Sequence, residues 1–215
     1  IQAPAEGEAK YTRPIGGKEI FGHCVVRLEP LGRGRGFEFS DRTRGGVIPR
    51  EFIGDVENGV REAGEAGLVA GYPVTDVRAS LVGGSYHEAE STPLAYKVAA
   101  SLAFREAAKK AGPVLLEPVM KLEVVCPDEY LGDVVGDINS RRGKVEGMEM
   151  RSGSRVIKAQ VPLAEMFGYA TIMRTLTQGR GVFSMEFSQY EKTPAQVQND
   201  IVARTEGRSP SRDQG

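Results

Sequence analysis

Two stretches in the second half of the chain carry one pattern, 36 residues apart. VVCPDEYLGDVVGDINSRRG ends at Gly143 and AQVPLAEMFGYATIMRTLTQG ends at Gly179. At that offset Val125 aligns with Val161, Glu129 with Glu165, Gly132 with Gly168 and Gly143 with Gly179. Each copy reads as strand, helix and glycine turn, and each is followed by a further strand, at 145–150 and 182–187. Met120, Leu122 and Val124 share one face of the first strand. Ile157, Ala159 and Val161 share one face of the third, and Phe183, Met185 and Phe187 are expected to be buried by the last. Two such units in tandem make βαββαβ, the ferredoxin-like split sandwich. The repeat then follows from the symmetry of one domain and needs no solenoid.

The first half shows no repeat but has clear periodicity. Residues 1–8 read as a frayed or linker start. Cys24, Val26 and Leu28 then alternate with His23, Val25 and Arg27, the pattern of a half-buried strand. GFEFS repeats the alternation after the LGRGRG turn. GGVIPREF opens a helix, with Pro49 suited to its first turn. Phe52, Val56, Val60 and Ala63 fall on one helical face, and Gly64 and Gly67 end it. In PVTDVRASLV, Thr75, Val77, Ala79 and Leu81 are expected inward, with Asp76, Arg78 and Ser80 outward. Ser91 or Thr92 caps a long helix with Pro93 at its start. Leu94, Val98, Leu102 and Phe104 carry that helix to Lys109 and Lys110, and Gly112-Pro113 stops it. TPAQVQNDIVAR forms one short helix, and TEGRSPSRDQG has the composition of a disordered tail.

The bulk numbers exclude several functions. The 215 residues are 40% hydrophobic and 27% charged with net charge −1, so nucleic-acid binding would rest on local patches. Cys24 and Cys126 belong to no C-x-x-C motif and read as buried thiols of a reducing compartment. Two cysteines and two histidines make a zinc site of the usual ligands very poor. No phosphate-binding loop is present, because Gly17-Lys18 is followed by Glu19. No apolar run reaches membrane-spanning length. His87, in GSYHEAEST, reads either as an idle loop residue or as a functional group. A general acid/base pairing of His87 with Glu88 or Glu90 lacks the apolar walls of a pocket. His23 reads as a partly buried strand residue with a hydrogen-bond partner.

Five blocks then point one way: GGVIPREFI, GYPVTDVRASLVGGSYHEAEST, AASLAFREAAKKAGPVLLEPVMKLEV, GDINSRRGKVEGME and VPLAEMFGYATIMRTLTQGRGVFSMEFSQYE. Together they run from about Gly45 to Glu191, and they resemble the C-terminal part of translation elongation factor G. The resemblance implies an α+β chain. Residues 1–112 correspond to that family's domain IV, which resembles domain 2 of ribosomal protein S5 and includes a left-handed βαβ crossover. Residues 113–190 correspond to the ferredoxin-like domain V, and 191–215 to a final helix and tail. The missing starting methionine and nucleotide motifs suggest a piece of a longer GTPase, whose GTP and magnesium would be bound elsewhere. In this piece the resemblance implies no cofactor, metal or catalytic residue.

The family resemblance also implies sites. GGSYHEAEST matches the loop at the tip of domain IV, which enters the decoding centre of the small ribosomal subunit during translocation. Ser85, Tyr86, His87 and Glu88 would meet the tRNA–mRNA there. The second tip loop reads GGKEIFGH where the family commonly has Gly-Gly-Arg-Gly-Gln-(Tyr)-Gly-His. Gly16 and Gly17 match, while Lys18, Glu19 and Ile20 replace arginine, glycine and glutamine. Lysine lacks the planar guanidinium fork, and glutamate beside phosphate is repulsive. In domain V, Arg141, Arg142, Lys144 and Arg180 sit in glycine turns suited to phosphates. The alternative reading of those turns is solvated helix ends. The sheet shows no exposed aromatic pair for base stacking. The implied partners are the ribosome, with its 16S and 23S rRNA, and no membrane, for a monomer in the cytoplasm. A recycling-biased paralogue, a ribosomal protection protein and a stand-alone RNA-binding module are the alternatives.

Overall fold

The computed structural model describes residues 1–205 and 207. The chain divides into two compact units, one of Ile1–Leu115 with the described residues from Pro194 onward, the other of Leu116–Thr193.

The first unit is a four-stranded sheet in the order β1-β2-β4-β3, with two helices on one face. Its strands are β1 (Ala5–Ile15), β2 (Lys18–Pro30), β3 (Phe37–Asp41) and β4 (Val77–Ser85). Strands β1, β2 and β4 pair antiparallel, and β3 lies parallel to β4 across a crossover through α1 (Ile53–Ala66). The long helix α2 (Pro93–Lys110) follows. Cys24, Val26, Leu28, Val77, Ala79 and Leu81 point to the helices and are fully buried, as their alternation predicts. Val82 is the extra residue of a bulge opposite Val25 and Val26, which keeps Leu81 and Gly84 on the inner face.

Four readings of the sequence change here. Ala5–Ile15 is a strand, so the second half of the expected linker start at 1–8 is structured. Its inward positions are Gly7, Ala9 and Tyr11, too small and too interrupted by charge to read as apolar. Second, α2 does not bury Leu94 and Leu102, which are 53% and 45% exposed. It buries an alanine face, Ala95, Ala99, Ala100, Ala103, Ala107 and Ala108, together with Tyr96 and Phe104. Backbones approach closely along that face. A Cβ on Gly7 would lie 2.1 Å from the Ala103 carbonyl oxygen, and one on Gly59 would lie 2.1 Å from that of Lys97. Third, Thr75 is exposed, ahead of the start of β4, while Asp76 and Ser80 are buried. The Asp76 carboxylate accepts from Gly36 N at 3.0 Å, and Ser80 shares a 2.9 Å hydroxyl bond with Ser40, so each is satisfied inside. Fourth, Pro49 precedes a 3-10 turn (Arg50–Phe52) that leads into α1, and Gly64 lies within α1.

The second unit is the ferredoxin-like βαββαβ sheet, in the antiparallel order β6-β7-β5-β8. It comprises β5 (Leu116–Cys126), α3 (Leu131–Ser140), β6 (Lys144–Arg151), β7 (Ser154–Pro162), α4 (Tyr169–Leu176) and β8 (Val182–Lys192). Leu122, Val124, Ile157, Ala159 and Val161 pack on Val134, Ile138, Tyr169 and Met173. The repeat reaches the backbone. Gly143 N–H donates to Ile138 O at 2.9 Å, and Gly179 N–H to Arg174 O at 2.8 Å. Arg142 and Gln178, also 36 apart, have φ of 58° and 50°. These are paired Schellman caps with the left-handed residue one position before the glycine. The last strand departs from expectation: Phe183 and Met185 are half-buried, and Phe187 is 53% exposed. Phe187 meets Tyr190 with ring centroids 5.3 Å apart, an exposed aromatic pair that simple alternation hides because β8 is bulged opposite Val119 and Met120.

The final helix α5 (Ala195–Thr205) forms as expected, and its Gln198 accepts from Leu115 N at 2.9 Å. The expected disordered tail, apart from Thr205 and Gly207, lies outside the described residues.

Candidate nucleic-acid interface

One end of the first sheet gathers three connections. The β1–β2 turn is the two-residue hairpin Gly16-Gly17 between the paired Ile15 and Lys18, with φ of 60° and 83°, as tight hairpins require. Residues 42–49 leave β3 at the same end, where Arg42 N–H donates to Leu81 O at 2.8 Å. Residues 86–92 leave β4 beside them. A Cβ on Gly84 would lie 2.6 Å from Ile48 Cδ1, so Ile48 sits directly beneath the start of this third connection.

The 86–92 loop is braced from both sides. Phe21 N–H donates 2.7 Å to Glu90 O, and Phe21 bridges Ser91. Ser91 Oγ accepts from His87 N at 3.0 Å, and Ser91 N–H donates to His87 O at 2.9 Å. The Tyr96 hydroxyl, from the buried face of α2, donates to Ser85 O at 2.8 Å and stands 3.4 Å from Ser91 Oγ. Thr92 is the N-cap of α2, with its side chain accepting from Ala95 N, and Pro93 follows. The His87 side chain stays 54% exposed, its ring 6.3 Å from that of Phe21 and Nδ1 3.7 Å from Glu90. It is a solvent-facing imidazole on a held backbone, able to stack, donate or accept.

The expected site residues fall into distinct settings. Ser85, Tyr86, His87 and Glu88 lie together; Tyr86 is 42% exposed with its ring 6.1 Å from Phe52. Gly16, Gly17, Lys18 and Glu19 are exposed at the hairpin, whereas Ile20 is buried. Gly22 of the same motif faces α2, and His23 is only 8% exposed, bonded to Glu8 and Ser85. In the second unit, Arg141 pairs with Asp137 at 2.8 Å, donates to Glu165 O and covers the Tyr169 ring. Arg142 forks onto Glu117 and reaches Glu165, and these bonds hold its pKa above the ordinary arginine value. Arg180 bonds to the Tyr130 hydroxyl and Glu129, which raise its pKa. Lys144 is exposed and has no ion pair among the described residues. The sequence reading did not single out Arg44 and Arg50 as site residues. They are exposed in and just after the 42–49 connection, without ion pairs among the described residues. Their signal in the sequence is the arginine-rich run DRTRGGVIPR.

No group of metal-ligating side chains occurs among the described residues, and no described helix is long and apolar enough to cross a membrane. An S5 domain 2-like unit with a braced, partly cationic end, joined to a ferredoxin-like unit, defines the class: the C-terminal domain pair of a translation factor. Residues 1–112 match the family model described as elongation factor G, domain IV, and residues 114–201 match that of the elongation factor G C-terminus. The chain belongs to the elongation factor G family. It is 55% identical over 210 residues to elongation factor G of Aquifex pyrophilus, covering 97% of this chain and 30% of that protein. A crystal structure of a Thermus thermophilus protein superposes with a TM-score of 0.85 at 40% identity, over 97% of this chain and 31% of that one. The chain thus spans less than a third of the length of these relatives.

Proposed function

We propose that this chain is the ribosome-engaging end of a translocase. The first unit inserts its hairpin tip at 16–19 and its 86–92 loop beside the tRNA–mRNA in the small-subunit decoding centre, and the second unit meets large-subunit RNA. The observation that carries this is the exposure of His87 on a loop whose backbone is held at Ser85, His87, Glu90 and Ser91. A fixed imidazole can meet an RNA base or 2′-hydroxyl with little ordering cost. No bond is made or broken; His87 acts as a pawl against return of the tRNAs. GTP and magnesium belong to residues outside this chain, and the site of action is cytoplasmic. Lys18, Arg44 and Arg50 add unpaired cations at the same end, where phosphates would be met. In the second unit Lys144 is the freest of the four expected cations.

The test uses the full-length protein that carries this chain. Single-round mRNA translocation is compared for wild type and His87→Ala, with GTP hydrolysis followed in parallel. Slowed translocation with unchanged hydrolysis supports the reading. Unchanged translocation refutes it and favours a paralogue whose GGKEIFGH hairpin serves another step, such as ribosome recycling.

A further inference from the structure

We infer that His23 is a positioning residue for the His87 loop, acting through Ser85; the inference rests on the proposed role of His87. His23 lies on the sheet face opposite the helices, directly across from Lys10 on β1 and Ser85 on β4. Its Nε2 is 2.8 Å from Glu8 Oε1 and its Nδ1 is 2.8 Å from Ser85 Oγ. The three side chains form a line of hydrogen bonds across β1, β2 and β4. The ring is 10% exposed while Glu8 is 60% exposed, so the bond to Ser85 is the sheltered one.

The proton directions follow from the donor inventory. An ionised carboxylate only accepts, so Glu8 assigns the hydrogen of a neutral ring to Nε2. Nδ1 then accepts, and the single Ser85 hydroxyl hydrogen points at it. That fixes the Ser85 side chain, while Tyr96 holds its carbonyl from α2. Ser85 is the last residue of β4, and His87 follows two positions later. Between them no ladder bond remains; the next anchor is the His87–Ser91 pair. The angle at which the chain leaves the sheet toward His87 is therefore set at Ser85 from both its side chain and its main chain. Glu8 and Ser85 are far apart in sequence, so only the pairing of β2 with both neighbours brings this line together.

The experiment measures single-round translocation by the full-length protein carrying His23→Leu, His23→Asn, His23→Gln, Ser85→Ala and His87→Ala, and the doubles of His23→Leu and Ser85→Ala with His87→Ala. Asparagine keeps an acceptor near the Nδ1 position facing Ser85, while glutamine keeps a donor near Nε2 facing Glu8. His23→Leu and Ser85→Ala should each slow translocation roughly tenfold, the effect of one lost hydrogen bond. Neither should slow the His87→Ala protein further, because both act through that loop. His23→Asn should restore most of the rate and His23→Gln should not. A merely structural role would give effects that multiply with His87→Ala and rescue that tracks thermal stability. If His87→Ala is slow but the His23 and Ser85 variants run at the wild-type rate, or multiply with it, the inference is overturned and the function stands. If His87→Ala itself has no effect, both fall. Should His23→Leu fail to fold, Ser85→Ala decides alone, since it removes the same bond from the loop side.

Discussion

Gly22 and Ala95 meet backbone to backbone: a Cβ placed on Gly22 would lie 2.4 Å from the Ala95 carbonyl oxygen. That contact seats the start of α2 on β2 just beneath the His87 loop, and it explains the glycine of the GGKEIFGH motif in steric terms. Gly22→Ala must push the helix away and is expected to cost about 3 kcal/mol or more. Gly136→Ala is the control. It lies exposed inside α3 with open space around its Cα, so alanine should stabilise by about 1 kcal/mol. Chemical denaturation of both variants checks the pair.

The same geometry shows what was legible in the sequence. Periodicity is readable wherever apolar side chains carry the burial, as in Phe52 of the 3-10 turn with Val56, Val60 and Ala63 of α1, or in the inner faces of β2, β4, β5 and β7. It failed where close backbone approach carries it. Strand β1 presents Gly7, Ala9 and Tyr11 to α2 between charged residues, so its strand signal is weak, and α2 buries alanines while exposing Leu94 and Leu102. At the candidate site, the exposed loops followed from motif resemblance. The Glu8–His23–Ser85 line did not, because it joins residues of three strands whose registers only pairing fixes.

The brace between Ser91 and His87 should be visible in exchange. Ser91→Ala removes the acceptor for His87 N–H and the partner of the Tyr96 hydroxyl. Protection of the His87 amide should fall roughly tenfold, the loss of about one hydrogen bond. The amides of β5 and β7, in the other unit, serve as the internal reference. Equal protection in wild type and variant would mean that the Phe21–Glu90 bond alone holds the loop.

Gln178 holds φ of 50°, a left-handed conformation that costs a residue with a side chain roughly 1 kcal/mol. A glycine there avoids the strain but loses more entropy on folding, so Gln178→Gly should stabilise by about 0.5 kcal/mol. Its counterpart Arg142 differs, because its side chain also bonds Glu117 and Glu165. Arg142→Gly should therefore destabilise, and the opposite signs of the two changes at equivalent positions are the measurable result in thermal unfolding.

Glu38 bonds to Arg78 and Arg35, and these bonds hold its carboxyl below the usual glutamate pKa. A carboxylate with a depressed folded pKa stabilises above its unfolded pKa, and that contribution disappears as pH falls through the folded value. Glu38→Gln should thus lower the urea midpoint near neutral pH and have progressively less effect as the solution is acidified. A difference that persists unchanged at acid pH would assign Glu38 a packing role instead.

Cys24 is fully buried, its Sγ 3.9 Å from Tyr96 O, and burial pushes the thiol pKa up to about 12. In the unfolded chain the thiol ionises near its free value of roughly 8.5. The folded state therefore keeps the full contribution of the neutral thiol below that value and loses stability as pH rises above it. Two outcomes follow. Thiol reagents at mildly alkaline pH should label Cys24 only at the rate at which its unit opens, because the thiolate is the nucleophile. Cys24→Ala should leave a cavity that lowers stability at neutral pH yet shrink the further loss on raising the pH. Fast labelling of native Cys24 would show that the Tyr96–Ser85 side of the loop opens by itself, which would contradict the rigid mounting of His87 on which its proposed action depends.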